Sequence, residues 1–149
     1  MSDYPQKLSS IIFLFEGLSD GERRETLIAY ADQAKTHEPK EGEVFDFEDV
    51  RKDEECTDSV GIYLTRDKHQ RLHFKVKLGP HVQTLTRAMT SILCKGLDGI
   101  TNEDLEKIPQ DFVPKIVGAE LIRARSQTVY YLLTRIKTAA RVWGRRNSH

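Results

Sequence analysis

Apolar positions recur along this chain with two different periods. Leu72, Phe74, Val76 and Leu78 alternate with His73, Lys75 and Lys77, the pattern of a strand with one buried and one wet face. Val60-Gly61-Ile62-Tyr63-Leu64 reads as a second strand, joined to the first through the polar turn Arg66-Asp67-Lys68-His69-Gln70. Elsewhere the spacing is helical. Leu27, Ile28, Ala31 and Ala34 predict a helix over about 20–35, opened by the capping-box sequence Ser19-Asp20-Gly21-Glu22. Val82, Leu85, Ala88, Met89, Ile92 and Leu93 predict another over about 81–95, with Gly96 to end it. Thr101-Asn102-Glu103-Asp104 starts a short helix to Lys107, with Ile100 and Leu105 placed to close a hydrophobic staple, and a further helix begins near Pro109. The last and longest, about 123–142, carries the stripe Val129, Leu132, Leu133, Ile136, Ala140 and Trp143. Residues 8–16, LSSIIFLFE, fit helix or strand, and residues 36–55 read as a long polar connection.

Strands grouped together, with helices before and after, point to an α+β fold: a small antiparallel sheet of two to three strands with helices on one face. A length of 149 residues suits a single domain, with a core over about 8–141 and a basic tail at 142–149. Lys plus Arg and Asp plus Glu balance at 23 each, so nucleic-acid binding by phosphate neutralisation is not expected. No apolar run approaches the ~20 residues that span a bilayer, and the opening MSDYPQKLSS lacks a secretory pattern, so no membrane association is expected. Two cysteines without framework spacing fit free thiols in the reducing cytoplasm.

One of them, Cys56, stands in Asp53-Glu54-Glu55-Cys56-Thr57-Asp58-Ser59, among four carboxylates and just before a strand. A thiol reacts as thiolate, and like charges nearby oppose its ionisation. Its activation therefore needs a cation supplied by the fold or by a partner; without one it is an idle thiol at a strand edge. Cys94 lies on the side of its predicted helix opposite Leu85 and reads as a packing residue. The histidines show no metal-ligand spacing; a site of Cys56, Asp58, His81 and Cys94 has no local support, and no cofactor motif is present. Arg123, Arg125 and Arg135 read as a solvated helix face.

Taken together, these segments resemble the SufE family of sulfur acceptors over about residues 8–141. Phe15, Leu18, Asp20 and Arg24 fit its F-x-x-L-x-D-x-x-x-R opening, Cys56 stands where its cysteine precedes a strand, and Arg87-Ala88-Met89 matches a later helical motif. GLDGITNEDL at 96–105 is the strongest match, and Arg125-Ser126-Gln127 with Ile136-Lys137 resembles the family's ending. The chain is divergent: Ser59 falls three residues after the cysteine where the family has two, and Thr128 replaces a glycine. The resemblance implies the fold shared with iron–sulfur scaffolds of the IscU type. It also implies that Cys56 takes persulfide sulfur from a pyridoxal-phosphate cysteine desulfurase and passes it to a cluster scaffold, with no cofactor of its own. Arg125 would be the cation beside the thiolate, Arg87 a second choice, and Ser59 the serine of the motif. A homodimer fits, and so does an interaction module of the same fold whose thiol is unused.

Overall fold

The computed structural model of the protein describes residues 4–53 and 58–147. Six α-helices and three strands follow one another: α1 Gln6–Glu16, α2 Asp20–Asp32, β1 Phe47–Asp53, β2 Asp58–Arg66, β3 Leu72–Leu78, α3 Thr84–Gly96, α4 Asn102–Lys107, α5 Val113–Val117 and α6 Ala119–Arg146. Short 3-10 turns, Ala34–His37 and Gln110–Phe112, extend α2 and introduce α5. The ambiguous segment 8–16 is helical, with Leu8, Ile11, Ile12 and Phe15 buried along one stripe. The capping box at Ser19 forms in both directions: the Glu22 amide donates to the Ser19 hydroxyl at 3.3 Å and the Ser19 amide to the Glu22 carboxylate at 2.9 Å.

The sheet is antiparallel in the order β1-β2-β3. Val60, Ile62 and Leu64 of β2 pair across with Leu78, Val76 and Phe74 of β3, and all six are buried. Helices α3 and α6 cover this face, so the α+β architecture with helices on one side is present as the sequence indicates. The long connection at 36–55 is shorter than expected, because its second half is β1. That strand escapes notice in the sequence because it lies at the sheet's edge. Only Phe47 and Val50 are apolar in FEDVRKD, and Glu48, Val50 and Lys52 all face solvent.

Two helix ends also differ from expectation. Gly96 does not end α3 through a left-handed turn; that conformation falls on Gly99, with φ +84°. Gly96 is needed for closeness instead. A Cβ there would stand 2.9 Å from Leu8 Cδ1 and 3.3 Å from Leu8 Cα, so its absence lets α1 lie against α3. The basic tail proves to be helix: α6 continues through Arg146, and buried Trp143 receives the Arg66 guanidinium 4.5 Å above its ring. Near its start, α6 is broken at Arg125, with φ −140° and ψ 37°.

Arg135 is the clearest departure. The sequence puts it on the solvated face, yet its side chain is 3 % exposed. From α6 it donates to the carbonyls of Asp49 in β1 at 2.9 Å and Val60 in β2 at 3.0 Å, and to the Tyr131 hydroxyl, with the Asp49 carboxylate at 3.4 Å. A single guanidinium thereby ties the helical layer to both strands of the β1–β2 hairpin.

Candidate functional site

Cys56 lies outside the described residues. Asp53 pairs with Asp58 at the end of the β1–β2 ladder, and residues 54–57 connect them. The cysteine is therefore carried by a hairpin end, not by a 20-residue hinged segment.

Asp58, one of the four carboxylates around the thiol, is turned onto backbone. It accepts from the His81 amide and from the Ser59 amide, each at 2.7 Å. These bonds, the His81 contact first, hold it below the usual carboxylate range, helped by the charges of His81 and Lys52. Its carboxylate fills the place beside Gly79: a Cβ on Gly79 would stand 2.1 Å from the Asp58 carboxyl carbon. The Gly79 amide in turn donates to the Ser59 carbonyl at 2.9 Å. The hairpin end is thus pinned to the 79–82 turn by one carboxylate and one amide.

From the other side Arg87 clamps the same turn. Its Nε donates to the Val82 carbonyl at 3.1 Å, and one Nη to those of Gly79 at 3.2 Å and Pro80 at 3.3 Å. Arg87 therefore acts on the turn whose His81 amide holds the Asp58 carboxylate. Ser59 contributes its backbone to this arrangement and stands opposite Lys52 in the β1–β2 register. Arg125 is exposed at the break in α6 and donates to Oε1 of Gln83, the residue preceding α3, at 3.1 Å. It borders a cavity of about 500 Å³ floored by Leu27, Leu85 and Leu121 and edged by Arg24. Ser59 through the Gly79 amide, Arg87 through the carbonyls of Gly79, Pro80 and Val82, and Arg125 through Gln83 thus all bond to one stretch of chain, 79–83. Sequence reading missed Asp58 as the pin, although the adjacent Gly79-Pro80 marked a turn that a carboxylate could occupy.

Cys94 belongs to the other end of α3, ten residues beyond Thr84 and so ~15 Å along the helix axis. It is 4 % exposed, and burial pushes its thiol up to about 12. A site joining it to Asp58 and His81 is therefore not assembled, and among the described residues no group of three or more His, Cys, Asp or Glu side chains is arranged to hold a metal ion. Near Cys94 a second polar cluster forms that the sequence did not reveal. His73 Nε2 meets Asp67 at 2.9 Å and Nδ1 meets Asp98 at 2.7 Å, while Lys7 reaches Asp98 at 3.1 Å. The two carboxylates raise the His73 pKa, and its hydrogen bond brings Asp67 down to about 2. This cluster joins the β2–β3 turn to the α3–α4 loop and α1.

No protein-family model matches the chain, and no curated protein matches it. Solved structures do. The solution structure of a hypothetical protein from Thermus thermophilus superposes with a TM-score of 0.71 at 20 % identity, over 94 % of this chain and 97 % of that one. The crystal structure of the N-terminal part of a nitrogen-fixing NifU-like protein from Brucella abortus superposes with a TM-score of 0.62 at 13 % identity, over 83 % of this chain and 94 % of that one. At such identities the likeness is one of fold. No helix among the described residues is long and apolar enough to cross a membrane.

Proposed function

We propose that this protein is a sulfur acceptor in iron–sulfur metabolism, with Cys56 as the carrier. The observation that supports this most is the position of Cys56 between the paired ends Asp53 and Asp58, on a hairpin whose base is pinned by Asp58 and Arg135. The fold shared with the nitrogen-fixing NifU-like protein is in keeping with this direction. In the proposed step the Cys56 thiolate attacks the terminal sulfur of a persulfide on a pyridoxal-phosphate desulfurase. One S–S bond forms at Cys56 as the donor's S–S bond breaks. The donor cysteine leaves as thiolate and takes up the proton that Cys56 gave up, so no outside oxidant or reductant is needed. Arg125, exposed and bonded to Gln83 at the start of α3, is the group proposed to favour the attacking thiolate. A cluster scaffold would be the next acceptor.

Incubation of the chain with a cysteine desulfurase and cysteine tests the reading. Intact-mass and peptide mass spectrometry should find one added sulfur on Cys56, absent from the Cys56→Ser variant. No adduct on the native chain, or one that survives that substitution, would rule it out and favour an interaction module of the same fold.

A further inference from the structure

β1 pairs with β2 along one edge, and its other edge has no strand partner among the described residues. Glu48, Val50 and Lys52 are exposed there, Val50 to 56 %, and the Arg51 side chain to 51 %. Val50 leans over its cross-strand partner Gly61: its Cγ2 sits 3.0 Å from where a Gly61 Cβ would be. An uncovered edge normally carries charges that discourage a further strand. Here the order of the charges is unusual. Glu48-Asp49-Val50-Arg51-Lys52 runs acidic, acidic, valine, basic, basic, so the two halves mirror each other with opposite sign.

We propose that β1 is a self-association edge, on which a second copy of this chain pairs antiparallel about Val50 to make one continuous six-stranded sheet. A two-fold axis at Val50 sets each residue opposite the one equally far on its other side. Glu48 then faces the partner's Lys52, Asp49 faces the partner's Arg51, and Val50 meets the partner's Val50. Cross-strand pairs of opposite charge stabilise a sheet, and like charges in the same places would oppose it. The symmetry also selects the register. Centring the axis on Arg51 would oppose Asp49 to the partner's Asp53, and centring it on Asp49 would lose both ion pairs. Asp49 already meets Arg51 within the strand at 3.5 Å and Arg135 at 3.4 Å, so the partner's Arg51 takes the place of the intrastrand one while the contact with Arg135 is kept. Two seven-residue strands make a small interface, below ~1,200 Å², and so a weak dimer with a dissociation constant around ~100 µM.

Sedimentation equilibrium of the full chain, up to about 1 mM, tests this. The native chain should self-associate, and Glu48→Lys and Lys52→Glu should each be monomeric, with circular dichroism confirming that both are folded. An equal mixture of the two should recover dimer, because the mixed pair restores both ion pairs, and the double variant E48K/K52E should dimerise alone. Lys68→Glu changes the net charge equally at an exposed turn off the edge, so its mixture with E48K should stay monomeric. A native chain monomeric throughout, association indifferent to both single substitutions, a mixture that fails to re-form dimer, or a K68E mixture that does form it would each overturn the proposal.

Discussion

Replacing Arg135 with methionine removes the guanidinium and keeps a side chain of similar length. The change is one-sided, since its main acceptors are the backbone carbonyls of Asp49 and Val60 and no substitution deletes those. A buried acceptor left without a donor costs about 1–3 kcal/mol, and two are affected, the Asp49 carbonyl less because it is only half-buried. The apolar methionine and the relief of guanidinium desolvation offset part of this. The net loss is about 3 kcal/mol, at the low end of the 3–5 kcal/mol typical when one partner of a buried charged pair is removed. With a urea m-value near ~2 kcal/mol/M, the midpoint should fall by ~1.5 M with m unchanged. Arg135→Lys should fall between, because one ammonium can replace the Nη2 that bonds both carbonyls but not the Nη1 that donates to the Tyr131 hydroxyl. Hydrogen exchange adds a local readout: β1 amides should lose protection well before those of β3. A methionine variant within ~0.5 kcal/mol of the native chain, with β1 still protected, would refute the claim that this guanidinium holds the hairpin to α6.

Gly79→Ala should cost ~2 kcal/mol by driving a methyl into the Asp58 carboxylate, and the amide resonances of His81 and Ser59 should shift with it. His73 should titrate above its ordinary 6.5 by NMR, and Asp98→Asn should bring it down. Because its folded pKa is raised, its stabilisation is complete below 6.5 and fades as pH rises through the folded value. Asp67, held at about 2, contributes above its ordinary 3.8 and fails as pH falls through about 2. Urea midpoints against pH should therefore show the cluster's full contribution between 3.8 and 6.5, and a contribution persisting in alkali would contradict the assignment. Cys94 should resist iodoacetamide in the folded protein at mildly alkaline pH and react on unfolding; alkylation without unfolding would show that it is not enclosed as described.

Most elements were readable because burial imposes a period. β3 alternates with its two environments, and the stripe of α6 marks the face laid on the sheet. What stayed hidden has physical causes. β1 has one partner strand and no apolar alternation, so only the register imposed by β2 identifies it. Arg135 looked solvated by residue type, although it lies three residues after Leu132 and four before Ala139, within the buried stripe. Helical spacing contained that signal, and the charge obscured it. At the hairpin, local sequence showed four carboxylates around a thiol but not that Asp58 accepts from the amide of His81, beyond the whole of β3. Arg87 and Arg125 could be nominated from the sequence, but their engagement with the 79–83 segment is tertiary and had no local trace.

The ladder pair Asp53–Asp58 sets a limit on travel. Cys56 is two residues from an anchored Asp58, and a chain spans at most ~3.3–3.6 Å per residue, so its Cα stays within ~7 Å of that anchor. Such a tether is too short for a swinging arm that shuttles between distant stations. Any molecule that exchanges an atom with this sulfur must bring its own reactive group to the rim of the sheet, and successive visitors must occupy that place in turn.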